Sequence, residues 1–377
     1  MAQDRVSGVP VNATESALAE LRAYCDVAVR HSYDQYEKHG TLHEKAHIAF
    51  HDDAVWKQTW VPDEFDVTDA RLHPVFQETF TDRQRLAWNH FMWALDYSSI
   101  AQGERQIIVL NNFAVQHYGR VLPSVVELER RESFEETDHI SAFAMVIEGV
   151  RQRYVGGTKP IWSVAASGFG SNSVNTVVRQ AIGRLGNFVM GSNFPTLFFL
   201  ARGMKTHGMK PFENAITRFE GGHKAIRMIS HLHRLDESRH MATSLYLAQL
   251  SAAALDTMPK DNAFIFKQAV KAAFPPGRSS LYRLDYWKRV LDTADVYADV
   301  PQVEKDALFA HMSERIEANL ASLHTVQTHV TRQANKRIVE ECGLSPDMKR
   351  LFVEVMRQDP AYAATVDAVV LPEVGEA

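Results

Sequence analysis

Two stretches of this sequence decide its reading: Glu135-Glu136-Thr137-Asp138-His139 and Asp236-Glu237-Ser238-Arg239-His240. Each is an acid followed by Glu-x-x-His, and Glu237 follows Glu136 by 101 residues. On a helix, positions i and i+3 share one face with Cβ atoms about 5–6 Å apart, so a carboxylate and an imidazole there can grip one metal ion. A single copy would be an ordinary solvated face. Two copies on separate long helices describe a built site.

The surroundings of both motifs are helical. Thr81-Asp82 opens a pattern that Leu86, Trp88, Phe91, Met92, Leu95, Ile100, Ile107, Ile108 and Phe113 carry to about Tyr118. Pro123 stands where the next helix begins, since its missing N–H does no harm there; Val125, Leu128, Phe134, Ile140, Phe143 and Ile147 continue it to about Tyr154. Gly156-Gly157 and Pro160 end it. A Gly/Ser-rich loop from Ser167 to Ser173 precedes an apolar third helix from Val174 to about His207, and a fourth runs from about His223 to Leu255. Upstream, the first 15 residues read as a loose arm, Ser16 to Lys38 as a peripheral helix, and Thr41 to His73 as irregular cover. Downstream, helices are expected near Asn262–Phe274, Ser280–Tyr297, Gln302–Cys342 and Pro346–Arg357. Alternating strand runs with hairpin turns are almost absent, so the fold class is all-α. The chain divides into an arm with covering structure (1–80), a helical-bundle core (81–255) and C-terminal helices packed on it (256–377), together one structural domain.

Composition narrows the function. The 377 residues are 45% hydrophobic and 23% charged, ordinary for a globular protein. Lys plus Arg is 41 against 46 for Asp plus Glu, a formal charge of −5, which argues against nucleic-acid and anionic-membrane partners. The most apolar stretch, Asn193 to Ala201, is far short of the ~20 residues that span a bilayer. Two cysteines, Cys25 and Cys342, and no signal-like N-terminus point to a reduced, cytoplasmic setting. The 17 histidines are the unusual number.

Ferritin-like four-helix bundles with di-metal carboxylate sites use Glu-x-x-His from two helices and a lone Glu from each of two others. Glu104, 32 residues before Glu136 and among Ile100, Ala101, Ile107 and Ile108, is the lone Glu of the first helix. An acid on an apolar face is unfavourable unless paired, protonated or bound to a cation. His233 precedes Glu237 by four residues, so His233, Glu237 and His240 form one helical stripe. The candidate metal ligands are therefore Glu104, Glu136, His139, His233, Glu237 and His240, with no catalytic group beyond them. Asp138, Glu135 and Asp236 are candidate partners for the outer imidazole nitrogens. Tyr97, Ile100, Ile108 and Trp93 are either core or the wall of a substrate pocket.

A Glu, then about 30 residues on Glu-x-x-His, then about 100 on His-x-x-x-Glu-x-x-His, resembles the p-aminobenzoate N-oxygenase family of di-iron oxygenases. The resemblance covers roughly Asp82 to Leu250 and implies a ferritin-like bundle holding two iron ions, or a Mn/Fe pair, with Glu136 and Glu237 as bridges and O₂ as co-substrate. It implies oxidation of a primary amine, aryl or amino-acid-derived, free or on a carrier protein, to the hydroxylamine or onward to nitroso or nitro, in secondary metabolism. An electron donor and a homodimer are compatible with it. Oxidation at carbon and a non-catalytic iron-binding protein are the rivals. One departure stands out: the family places a Glu on the third helix, yet no Asp or Glu occurs from Gly149 to Phe212. His207 and Glu213 are the substitutes, with Asn193 as a further donor.

Overall fold

The computed structural model describes residues 15–119, 122–156, 212–254, 284–341 and 346–358, with a few isolated positions besides. The main helices are α1 (Glu15–His39), α2 (Leu42–Phe50), α3 (Asp82–Tyr118), α4 (Pro123–Tyr154), α5 (Lys224–Ala254), α6 (Leu284–Thr293), α7 (Gln302–Glu341) and α8 (Pro346–Arg357). Short helical turns link α2 to α3, and a further short helix spans 212–218. No strand occurs among the described residues, so the chain is all-α. The expected third bundle helix, Val174 to His207, and the helix near Asn262–Phe274 lie outside the described residues.

Local chemistry sets the boundaries. Thr81 accepts from the Gln84 N–H while Gln84 returns a bond to the Thr81 N–H, a capping box that starts α3. Pro123 occupies the first turn of α4. From Ala87 to Tyr97 every residue of α3 is buried, eleven in succession. A helix buried all round must be central. It packs along α4, while α1 and α2 lie across α4 and α5. On the far side α6 closes the core, with Trp287 stacked on Trp88 at 4.3 Å.

Three expectations change. The irregular stretch from Thr41 contains α2, which is too short to persist alone but is started by the Thr41–Glu44 capping box. Asp138 of α4 also accepts from the Leu42 and His43 N–H groups at 2.6 and 3.1 Å. α1 is more than a peripheral helix, because its Ser32 is fully buried and donates to Glu135. Phe134, read as part of the inward stripe of α4, is 48% exposed; it packs beside Tyr36 and the Arg131 guanidinium instead.

The cover before α3 is fastened from below. Asn89 accepts from the Trp60 and Val61 N–H groups and donates to the Val61 carbonyl. His90 lies stacked on Trp60 at 3.8 Å, with Nε2 against the Gln58 carbonyl at 2.8 Å and Nδ1 against the Tyr154 hydroxyl at 2.9 Å. A neutral imidazole satisfies both, donating to the carbonyl and accepting from the phenol. Burial, opposed by the Gln58 bond, pushes the pKa of His90 down to about 3 from 6.5. The unfolded chain therefore binds a proton there that the folded chain refuses, so stability is lost as pH falls below about 6.5 toward 3. Urea midpoints measured at pH 7 and pH 4.5 should drop less in His90→Asn than in wild type.

Candidate metal centre

All six candidate ligands converge. Glu104 comes from α3, Glu136 and His139 from α4, and His233, Glu237 and His240 from α5; each is at most 3% exposed. Two groups of donor atoms lie close enough to hold an ion each: Glu104, His139, His233 and Glu237, and Glu136, Glu237 and His240. Glu237 belongs to both.

The imidazoles are aimed by their outer nitrogens. His139 points Nδ1 toward Glu104 and Glu136, at 3.7 and 3.8 Å, and Nε2 toward Asp236 at 3.2 Å. His240 points Nδ1 toward Glu136 and Glu237, at 3.2 and 3.4 Å, and Nε2 toward Glu135 at 2.8 Å. The acid preceding each Glu therefore holds the histidine of the other motif. His233 points Nε2 toward Glu104 at 2.8 Å and Glu237 at 3.8 Å, and its Nδ1 bonds Glu213. A hydrogen bond at the outer nitrogen fixes which lone pair faces the centre.

Glu213 thus takes a position different from the one expected of a third-helix carboxylate. It lies on the 212–218 helix, 1% exposed, behind His233, and also accepts from the Tyr97 hydroxyl at 3.3 Å. His207 and Asn193 lie outside the described residues. Asp138 is not an imidazole partner, because two residues past Glu136 a helix has turned by about 200° and the side chain caps α2. Arg105, next to Glu104 in the chain, is exposed. Arg239 pairs with Glu135 at 2.9 Å and Asp236 at 3.0 Å. Sequence reasoning missed Ser32 and Arg131, whose Nε lies 2.6 Å from the Ser32 hydroxyl. Neither sits in a motif, and only the approach of α1 to α4 brings them in.

The electrostatics favour a cation. Burial works against charge on His139, but Asp236, Glu104 and Glu136 outweigh it and carry its pKa well above 6.5. His240 is likewise raised, by Glu132, Glu135, Glu136 and Glu237 against burial. Burial of His233 is overcome by Glu213 and Glu104, which raise it to about 9. Burial would raise Glu135, yet His240 and Arg239 hold it down to about 2. In the absence of metal the cluster neutralises itself by drawing protons onto its imidazoles. The Nδ1 of His139 is buried with no hydrogen-bond partner among the described residues, aimed between Glu104 and Glu136. Oxygen and imidazole donors without thiolate suit Fe(II) and Mn(II). The residues present fit two such ions.

The fold and site define an all-α protein with a buried, carboxylate-rich, histidine-braced centre. Residues 31–196 match the family model described as "Acyl halogenase CylC-like". That match spans α2, α3 and α4, with Glu104, Glu136 and His139, and stops before the helix of His233, Glu237 and His240. The match covers less than half of the chain, and its description names halogenation, not the N-oxygenation that the motif spacing implies. No curated protein and no solved structure matches the chain. No helix among the described residues is long and apolar enough to cross a membrane.

The brace is testable. An ion that binds only the folded state stabilises it by about 2.7 kcal/mol at a hundredfold excess over Kd. Loss of an outer-nitrogen partner costs about 10–100-fold in metal affinity, so Asp236→Asn should remove about 1.3–2.3 kcal/mol of that gain at the same ion concentration. Thermal unfolding with and without anaerobic Fe(II) measures it. Because imidazole binds a metal only in its deprotonated form, the stabilisation should weaken as pH falls.

Proposed function

We propose that this chain is an O₂-dependent di-iron enzyme that replaces a C–H bond of an acyl substrate with a carbon–halogen bond. The observation that carries the reading is the pair of buried carboxylate and imidazole donor groups that share Glu237. The family match to acyl halogenases over 31–196 supplies the choice of halide and acyl chain.

When bound, the iron pair supplies the electrons and open positions through which O₂ is reduced and oxidising power is brought to the substrate. The protein's part is position and exclusion of water. Glu104, His139, His233 and Glu237 would hold one ion, and Glu136, Glu237 and His240 the other. Glu135, Asp236 and Glu213 keep the three imidazoles aimed inward, so little reorganisation accompanies the change of charge at the centre. Phe143, 5.0 Å from the His233 ring, and Ile100 keep the near wall apolar.

A second reading is N-oxygenation of a primary amine, supported by the His233-x-x-x-Glu237-x-x-His240 stripe, which brings one histidine more than the general di-metal rule. The electron donor and any carrier-protein partner belong to either reading.

Iron analysis should find two ions per chain in wild type, one in Glu104→Ala and none in Glu237→Ala, the shared donor. Iron-loaded protein given O₂, reductant, bromide and fatty acyl thioesters should yield brominated acyl product by mass spectrometry. Amine oxidation without halide incorporation would select the second reading. Absence of iron after anaerobic loading would reject both.

A further inference from the structure

A row of aromatic rings leads away from the metal centre. Tyr97 sits at its inner end, its ring 6.3 Å from that of His233. Trp93, one turn earlier on α3, is stacked on Tyr97 at 4.0 Å and 12°. Trp60 meets Trp93 edge-on at 5.8 Å, and Trp56 meets Trp60 at 5.2 Å. Tyr97, Trp93 and Trp60 are fully buried, whereas Trp56 is half-buried and lines a surface cavity of about 520 Å³ between α2 and α4. The placement of Trp56 is built in: a Cβ on Gly149 of α4 would come within 2.8 Å of its ring, so glycine makes the seat. Arg153 lies over Trp56 at 4.8 Å with its charge answered by Asp53 at 2.6 Å.

The hydrogen bonding along the row is graded. The Trp93 indole N–H has no acceptor among the described residues, and that of Trp60 is fixed to the Val55 carbonyl. These rings can lose and regain an electron without a proton leaving. Tyr97 differs, since its hydroxyl lies 2.6 Å from Ser230 and donates to Glu213, the carboxylate behind His233. A phenol gives up its electron readily only when its proton has an acceptor, and Glu213 is one.

We infer that Trp56, Trp60, Trp93 and Tyr97 form an electron conduit between the metal centre and the surface, which discharges the centre when O₂ has oxidised it and no substrate is consumed. This rests on the reading of the site as O₂-activating. Each discharge moves one electron. The oxidised centre takes it from Tyr97, whose proton passes to Glu213. Tyr97 regains an electron from Trp93 and its proton from Glu213, Trp93 is refilled by Trp60, and Trp60 by Trp56. Trp56 is refilled at the surface by a one-electron reductant of the ascorbate class. Indole and phenol yield an electron only to a strong oxidant, so the row is silent toward resting ferric iron.

Flash-quench photo-oxidation of the full-length, metal-free protein, with a ruthenium polypyridyl sensitiser and a cobalt(III) quencher, tests the conduit without relying on iron. A tryptophan-radical absorbance should decay into a tyrosyl-radical signal that Tyr97→Phe removes. Trp93→Phe and Trp60→Phe, checked for folding by thermal melting, should each lose that signal, and Gly149→Ala should diminish it while leaving the site untouched. A Tyr97 signal that survives in both tryptophan variants, or is missing in wild type, overturns the conduit. With iron(II), O₂ and no reductant, peptide mass spectrometry should find oxygenated Trp56 in wild type and not in Trp93→Phe. Equal Trp56 oxidation in the two overturns it as well. Conduction in the metal-free protein beside an inert iron-loaded one would instead sink the O₂-activating reading and leave the conduit standing.

Discussion

Five glutamates, at 104, 135, 136, 213 and 237, are buried beside three histidines, and the cost of desolvating those carboxylates is the constraint around which this protein is arranged. Two of the five, Glu135 and Glu213, are answered on the spot, by Arg239, Ser32 and two imidazole nitrogens. The other three face inward together with the inner nitrogens of the imidazoles. Without metal this inner set is balanced by protons, which is why all three histidines are raised despite full burial. Divalent ions replace those protons and satisfy oxygen and nitrogen together, so metal affinity and fold stability are expressions of one electrostatic balance.

The balance is kept by reciprocity between two helices. Asp236 of α5 aims His139 of α4, and Glu135 of α4 aims His240 of α5. Each acid-Glu-x-x-His motif thus contributes one inward carboxylate, one inward imidazole and one outward carboxylate that serves the opposite helix. Neither motif is complete alone. The doubled acids, which in one helix look like redundant charge, are the means by which the distance between two helices is held. Ser32 of α1 and Glu213 of the 212–218 helix extend the same device to two more elements.

α3 joins this polar centre to the rest of the core. Its first half is buried on every side and carries Trp88, Trp93 and Tyr97, which pack against α6, the cover before α3 and α4. About two turns beyond Tyr97 it presents Glu104. The same rigid rod thus anchors the aromatic layer and the lone carboxylate, so the layer that keeps water from the site also sets its depth.

Much was legible in the sequence because helical periodicity is local. The bounds of α3, α4, α5 and α8 follow from capping residues and apolar spacing, and i, i+3 and i+4 geometry puts Glu136 with His139, and His233 with Glu237 and His240, on single helix faces, while Glu104 stood out as an acid among apolar residues. The short α2 was lost because nine residues carry little periodicity, though its Thr41–Glu44 box was there to be read. Which acid serves which histidine was beyond reach, since Asp138, Glu135 and Asp236 are alike in sequence and differ only in where their helix faces point. Sequence by itself determined the long helices and the candidate donors on them. The tertiary structure alone decided that Asp138 caps α2, that Glu213 stands behind His233 and that Ser32 completes Glu135. Each of those contacts joins residues twenty to more than a hundred positions apart, and only the packing of one helix on another brings such groups within reach.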